Sequence, residues 1–247
     1  MKLMKRALHV AMGLALFQGA QAIPVVTDGE WLSVEGSPSD GPDFFDTEPN
    51  GTNNRVTWGI PVGDLNPGPS AYLFEGVDPG DAPLDGSLFE LGDFTHENFT
   101  IQFPSITGAT LEVSLDFTGE GISQTFTYFF DHTETPNNEN PCAEGGIIPC
   151  PDLVSIPDAS STETVVLNGQ EYLLRILGFS QDGGQTILED FLTSEGQNNT
   201  ATLYARLEPP PEIPAPATLA LLGLGLFGIG YKRHKQKKIG VNPFLEM

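Results

Sequence analysis

Apolar and polar residues alternate along much of this chain, which is the pattern of half-buried β-strands. In residues 109–117 an apolar side chain takes every second position, with Thr, Glu, Ser and Asp between them. Residues 122–130 and 201–207 repeat this alternation. Because successive side chains of a strand point to opposite faces of a sheet, each segment predicts a strand with one buried face.

Further strands and frequent turns extend this pattern. The other candidate strands are 55–60, 71–77, 99–103, 162–167 and 171–179. Asn168-Gly169, between the last two, favours a two-residue hairpin turn. Short strands separated by clusters of Gly, Pro, Asn and Asp predict an all-β fold, an antiparallel β-sandwich of jelly-roll or Ig-like type. Outside the two ends of the chain we predict no helix of ordinary length.

The N-terminus has the three regions of a secretory signal peptide. Two lysines and an arginine within the first six residues are followed by an apolar stretch over residues 7–17. Ala20 and Ala22 form the small-x-small motif that signal peptidase recognises. We expect the exported chain to begin at Ile23.

The C-terminus combines prolines, a short apolar segment and a basic cluster. Residues 208–216 hold five prolines and predict an extended linker. Residues 217–231 carry no charge and predict a single transmembrane helix, with a basic cytoplasmic tail over residues 232–247. The apolar segment is short for a bilayer and contains four glycines, which suits a transient anchor.

Pro214-Ala215-Pro216, together with the segment and cluster that follow, resembles the PEP-CTERM sorting signal of bacterial surface proteins. The resemblance covers roughly residues 213–238. It implies export across the inner membrane, transient anchoring by the C-terminal helix, and cleavage by an exosortase, a membrane-embedded cysteine transpeptidase. The processing partners would then be signal peptidase and exosortase. The family usually has glutamate where this chain has Ala215, which bears on how well the chain is cut.

The part between the two targeting ends is strongly acidic. Residues 23–213 contain 32 acidic residues, three arginines and no lysine, a net charge of −29, against −22 for the whole chain. Binding to nucleic acid depends on cations that displace phosphate counterions, so this charge excludes nucleic acid as a partner.

These features divide the chain into six parts. In order they are a signal peptide (1–22), an irregular lead-in (23–54), a β-sandwich domain (55–207), a proline-rich linker (208–216), a transmembrane helix (217–231) and a basic tail (232–247).

Cys142 and Cys150 are the only cysteines. Export places them in an oxidising compartment, and no Cys-x-x-Cys motif or companion histidine accompanies them. We therefore expect a structural disulfide rather than a zinc site or a redox pair.

His96 and His132, the histidines of the exported part, both have acidic neighbours. We interpret them as hydrogen-bonded residues at strand ends; the alternatives are a His/carboxylate metal site or an acid–base pair. No ligand-spaced histidine pair or activated nucleophile accompanies them, so we assign no catalytic residue, no metal ligand and no cofactor. Two acidic loops could hold Ca²⁺, although solvated loops are the simpler interpretation. Their acids are Asp43, Asp46 and Glu48 in the first, and Asp78, Asp81, Asp85 and Glu90 in the second.

A second resemblance covers much of the exported part. Residues 57–61, 91–98 and 126–137, with Cys142 and the Cys150-Pro151-Asp152 sequence, are similar to the choice-of-anchor K domain. That family is exported and carried by several bacterial anchoring signals. The resemblance implies a fold and a location and adds no catalytic residue.

The sequence favours a non-enzymatic protein of the bacterial surface or extracellular matrix, associated with exopolysaccharide or biofilm. One alternative is a carbohydrate-binding module, which would need exposed aromatic side chains such as Trp31, Trp58 and Tyr72. Another is a secreted hydrolase, which would need a cleft with converging carboxylates.

Overall fold

The computed structural model describes residues 21–36, 45–46, 54–62, 68–102, 105–157 and 164–208. In this part the chain forms fifteen strands. They are β1 (Ala22–Glu35), β2 (Phe45–Asp46), β3 (Arg55–Trp58), β4 (Ile60–Pro61), β5 (Ser70–Gly76), β6 (Gly80–Pro83), β7 (Leu88–Asn98), β8 (Ile101–Gln102), β9 (Gly108–Phe117), β10 (Ile122–Thr133), β11 (Asp152–Ser155), β12 (Thr164–Leu167), β13 (Gln170–Ser180), β14 (Asp190–Thr193) and β15 (Gln197–Glu208).

Two units make up the chain, residues 1–210 and residues 211–247. The second unit lies outside the described residues, and so does the predicted C-terminal helix. The described residues contain no helix with the length and apolar character needed to cross a bilayer.

The strands form two large antiparallel sheets. Six strands lie in the order β14-β11-β10-β9-β1-β6, and seven lie in the order β12-β13-β15-β7-β5-β3-β2. β4 and β8 form a separate two-stranded sheet. The inward faces of both large sheets contribute to one hydrophobic cluster. The predicted all-β class with antiparallel sheets is therefore confirmed.

Aromatic rings join the two sheets at the centre of this core. Trp31 of β1 and Phe130 of β10 come from the six-stranded sheet, and Tyr72 of β5 and Phe94 of β7 come from the other. The Phe94 and Phe130 rings are stacked with centroids 5.3 Å apart, and the Trp31 and Tyr72 centroids are 5.4 Å apart. Such pairs stabilise a core beyond the area they bury.

β1 corrects the predicted irregular lead-in over residues 23–54. Its fourteen residues lie between β6 and β9, and it pairs with β9 from Val25 opposite Phe117 to Glu35 opposite Gly108, with one register shift between Trp31 and Ser33. The alternation was hidden because two inward positions are not apolar. At Gly29 a Cβ would lie 2.3 Å from the Phe74 ring.

The second of these inward positions is Thr27, which is 4% exposed. Its hydroxyl donates a hydrogen bond to the Leu91 carbonyl across the sandwich and accepts one from the Val77 amide at 2.8 Å. A polar residue can therefore occupy a core position of β1 because both functions of its hydroxyl are satisfied.

Most of the predicted strands are present. The hairpin between β12 and β13 is confirmed: Asn168 and Gly169 have φ values of 53° and 76°, and Leu167 lies opposite Gln170. The candidate strand over residues 99–103 was wrong in its bounds, because β7 ends at Asn98 and β8 has two residues. β6, β7, β11 and β14 were not predicted, and three of them carry the polar residues described next.

Candidate functional site

Buried polar side chains form a cluster near the ends of strands from both sheets. They are Tyr72 of β5, His96 of β7, His132 of β10, Asp152 of β11 and Thr193 of β14. Each is at most 5% exposed. We call these five residues the polar cluster. Buried polar groups are costly unless they are hydrogen-bonded, so each contact within the polar cluster matters for folding.

The two histidines, 36 positions apart in the sequence, lie together in the core. Their ring centroids are 5.4 Å apart, and the Trp58 ring stacks on His96 at 5.5 Å. The Tyr72 hydroxyl is hydrogen-bonded to His132 Nδ1 at 2.6 Å and so joins the two sheets. Burial, followed by the charges of Asp152 and Glu134, raises the pKa of Tyr72 well above its usual value.

The hydrogen bond to Thr193 determines which ring nitrogen of His96 carries the proton. The Thr193 hydroxyl donates a hydrogen bond to the Asp152 carbonyl at 3.1 Å, so it accepts one from His96 Nδ1 at 2.8 Å. Burial, and then His132, lowers the pKa of His96 well below its usual value, so the ring is neutral. His96 Nε2 is therefore an acceptor, and it has no hydrogen-bond partner among the described residues.

Asp152 is a fully buried carboxyl group that is only half satisfied. Its Oδ1 accepts a hydrogen bond from the Thr135 amide at 2.8 Å, whereas the single proton of the Thr135 hydroxyl has its shortest acceptor in the Pro151 carbonyl at 2.8 Å. Its Oδ2 has no partner in the described part of the chain. Burial, followed by the charge of Glu134, raises the pKa of Asp152 to about 8. Asp152 is therefore mostly protonated at neutral pH unless a nearby cation balances its charge.

Glu134 connects the polar cluster to the protein surface. Its Oε2 lies 3.5 Å from His132 Nε2, and its side chain is 26% exposed whereas that of His132 is 0% exposed. A cavity of about 560 Å³ opens at Glu134. It is lined by Ile101, Gln102, Ser105, Glu134, Thr135, Pro136 and Asn137.

His132, Glu134 and Asp152 have the chemistry of a metal-binding or proton-transfer site. One ligand atom from each lies within 4.8 Å of the other two, and no other group of three His, Cys, Asp or Glu residues does so in the described ranges. Each histidine makes a hydrogen bond, His132 to the Tyr72 hydroxyl and His96 to the Thr193 hydroxyl, so the partner of His96 is not one of its acidic neighbours in the sequence.

Two residues of the polar cluster, Asp152 and Thr193, were not identified as site residues from the sequence. Asp152 and Thr193 lie on strands of four residues, which are too short for a clear alternation. One sequence signal was available for Asp152. It stands two positions before Val154 and four before Ile156, so in a strand it shares the inward face of these buried apolar residues.

The cysteines lie in the connection between β10 and β11. Cys142 and Cys150 are joined by a disulfide, with a Cα–Cα distance of 5.4 Å. Cys150 is fully buried. The disulfide thus closes residues 142–150 within the connection between His132 and Asp152.

Among the described residues, no three acids of residues 78–90 bring their ligand atoms within 4.8 Å of one another. Asp85 accepts a hydrogen bond from the Ser87 amide at 3.0 Å, and Glu90 accepts one from the Tyr204 hydroxyl at 2.8 Å. The side chains of Asp43, Asp46 and Glu48 lie outside the described residues.

The aromatic residues proposed for sugar binding are in the core. Trp31 and Trp58 are 1% exposed and Tyr72 is 0% exposed. A sugar ring stacks on an accessible aromatic face, so these three side chains do not serve a carbohydrate-binding module in this fold.

Of the targeting residues, only Ala22 is described, as the first residue of β1. Ala20, Pro214, Ala215 and Pro216 lie outside the described residues.

Comparison with known proteins identifies the C-terminal sequence. No curated protein matches the chain. A family model, the PEP-CTERM protein-sorting motif, matches residues 212–234. The resemblance to the choice-of-anchor K domain is not confirmed by this match and stays a prediction. The matched range contains Pro214, Ala215, Pro216 and the whole apolar segment 217–231. The chain therefore carries a PEP-CTERM sorting motif at residues 212–234, which marks it as an exported protein sorted by an exosortase.

Proposed function

We propose that this protein is a non-enzymatic component of the bacterial cell surface or extracellular matrix that associates with exopolysaccharide. The C-terminal helix holds the exported chain in the inner membrane until an exosortase cuts near Pro214-Ala215-Pro216. The observation that carries the proposal is the sorting motif at residues 212–234, placed after an all-β domain.

The positions of the first and last strands support cleavage at both ends. β1 begins at Ala22, so a cut after this residue leaves Ile23 and the rest of the strand in place. β15 ends at Glu208, so a cut near Pro214 removes none of the described strands. The exported domain can therefore keep its fold after both cuts.

The charge of the exported part suits a hydrated matrix. Residues 23–213 carry a net charge of −29 without a lysine. Such a surface stays soluble and monomeric and repels nucleic acid and anionic lipid. Neutral or cation-bridged polysaccharide remains compatible with it.

Processing is tested by mass spectrometry of the mature protein from two matched strains, one with and one without exosortase. We expect a C-terminus near Pro214 in the first strain and an intact tail through Met247 in the second. Pro214→Ala with Pro216→Ala should prevent the cut, whereas Pro209→Ala with Pro210→Ala is the matched control. An intact tail in the exosortase-positive strain would reject the processing step.

Association with exopolysaccharide needs a separate test. We expect the released domain to co-sediment with the extracellular polysaccharide of the host and to enter the soluble medium in a polysaccharide-deficient strain. The same distribution in both strains would reject this part of the proposal.

A secreted hydrolase is a second candidate because the cavity at Glu134 brings a partly exposed carboxylate next to His132. Incubation of the protein with a panel of polysaccharides, followed by a reducing-end assay, distinguishes the two functions. Hydrolysis that disappears in Glu134→Gln would favour the enzyme over the matrix protein.

A further inference from the structure

We propose that His132, Glu134 and Asp152 bind a divalent transition-metal ion of the Zn²⁺ class. Metal binding here requires only the folded domain, so it is independent of the proposed surface function. His132 lies at the end of β10, Glu134 directly follows that strand, and Asp152 is the first residue of β11.

One pair of ligand atoms already has the spacing expected of two ligands on one small ion. All three lie within 4.8 Å of one another, and His132 Nε2 is 3.5 Å from Glu134 Oε2. Two ligands of a tetrahedral zinc ion, each at about 2.0–2.1 Å from the metal, lie about 3.3 Å apart. The histidine and glutamate therefore already have the separation of two ligands, and 3.5 Å is long for a hydrogen bond between them.

Outer hydrogen bonds orient two of the ligands. Tyr72 is hydrogen-bonded to His132 Nδ1, which leaves Nε2 to face Glu134. Metal-binding histidines are commonly oriented by such a bond on the other ring nitrogen. The Thr135 amide holds Asp152 Oδ1.

Asp152 supplies the independent observation that a ligand is needed. Its side chain is 0% exposed, and its Oδ2 has no hydrogen-bond partner among the described residues. A buried carboxylate oxygen without a donor is costly, and coordination of a cation would satisfy it.

The negative charge around Asp152 also favours a bound cation. Glu134 and Glu195 are the charged groups that act on Asp152, and both are carboxylates. The arginines of the described part form ion pairs with other acids. Arg55 pairs with Glu97, and Arg175 and Arg206 both pair with Glu208. A divalent cation would balance the two carboxylates that the fold holds beside His132.

The ligand types select the metal. Zn²⁺ accepts imidazole nitrogen and carboxylate oxygen in four-coordinate sites, whereas Ca²⁺ takes six to eight oxygen ligands. Three protein ligands leave one position of a four-coordinate ion free. Because Glu134 borders the cavity, that position would be open to water or to an oxygen atom of a ligand.

The test is isothermal titration of the full-length chain with ZnCl₂. The protein is purified in detergent with a histidine-free tag and stripped with a chelator. We expect one Zn²⁺ per chain, with affinity reduced by more than about 100-fold in Asp152→Asn and Glu134→Gln. The matched control is Asp131→Asn, which removes an exposed acid beside His132 and should leave the affinity unchanged.

Two further measurements keep the outcome decisive. Glu134 is partly exposed, so its glutamine variant should retain the near-ultraviolet circular dichroism of the folded protein. Replacement by Co²⁺ should give visible absorption that this variant loses. The proposal is overturned if the unaltered protein binds no Zn²⁺, if Glu134→Gln binds it equally well, or if Ca²⁺ binds more tightly.

Discussion

Tyr72 joins the two sheets through a single hydrogen bond in the core. We expect Tyr72→Phe to reduce the free energy of unfolding by about 1–3 kcal/mol, because it leaves His132 Nδ1 buried without its partner. Urea unfolding measures this change. Tyr204→Phe is the control: it removes the part-buried hydrogen bond to Glu90 and should cost less. A larger loss for Tyr204→Phe would contradict the importance of the buried bond.

Asp182 predicts a local dependence on pH. Its carboxylate accepts hydrogen bonds from the Thr186 amide at 2.9 Å and the Ser180 hydroxyl at 2.8 Å. These bonds, first that of the Thr186 backbone, hold the pKa of Asp182 below its usual value. Their stabilisation is complete above the unfolded-state pKa of about 3.9 and is lost as the pH falls through the lower folded-state value.

We expect the Thr186 amide to exchange faster with solvent, relative to other turns, once Asp182 is protonated. Hydrogen exchange followed by NMR measures this change as the pH is lowered from neutral through the folded-state pKa of Asp182. In Asp182→Asn the additional acceleration should be absent. Equal pH dependence in both proteins would show that the carboxylate does not hold the turn.

At the level of residues, the sequence could identify the histidines but not their surroundings. The acids next to them in the sequence are poor guides, because adjacent side chains of a strand point to opposite faces. Glu97, beside His96, pairs with Arg55, and Asp131 is exposed. The acid that does reach His132 from its own segment is Glu134, two positions away on the same side.

At the level of elements, the hairpin between β12 and β13 offers a clean test of backbone conformation. Gly169 has a φ of 76°, and a Cβ there would meet nothing within 4 Å. We expect Gly169→Ala to lower the free energy of unfolding by about 1–2 kcal/mol through backbone strain alone. Gly169→Asn should cost less, because asparagine tolerates this region. Urea unfolding that ranks the two variants in the opposite order would contradict this explanation.

β9, which the sequence predicted, has an unbroken apolar face. In β9, Leu111, Val113, Leu115 and Phe117 are all fully buried. β7 breaks the rule, because its inward positions pass from Leu91 to Phe94 at a register shift between Leu203 and Tyr204 of β15. It then continues through His96 and Asn98. Because the inward positions of β7 change from odd to even numbers and then become polar, its sequence shows no regular alternation of apolar and polar residues.

The order of strands within each sheet also could not be predicted from local sequence patterns. β1 lies between β6 and β9. Its partner residues are 80–83 on one side and 108–117 on the other, both far from β1 in the sequence. Alternation states that a strand has a buried face but not which strand pairs with it. The sandwich class was therefore predictable, whereas the neighbours of β1 and the meeting of β7 with β10 across the core were not.

For the whole molecule, the charge of −29 between residues 23 and 213 should oppose compaction. We expect the melting temperature to rise between 0.01 M and 0.5 M NaCl, because the screening length falls from about 30 Å to a few ångströms. Differential scanning calorimetry measures this rise. Potassium chloride should act equally, since the effect depends on ionic strength. A melting temperature that falls with salt would show that favourable ion pairs outweigh the repulsion.

The scarcity of basic residues in the exported domain also affects its cleavage by proteases and its reaction with chemical labels. Arg55, Arg175 and Arg206 all lie within strands, and residues 23–213 offer trypsin-like enzymes no other basic position. Such enzymes cleave extended, accessible backbone, so the native domain should survive digestion that degrades ordinary secreted proteins. Because residues 23–213 contain no lysine, an amine-directed dye has one target once both the leader and the basic tail are removed, the α-amino group at the start of β1.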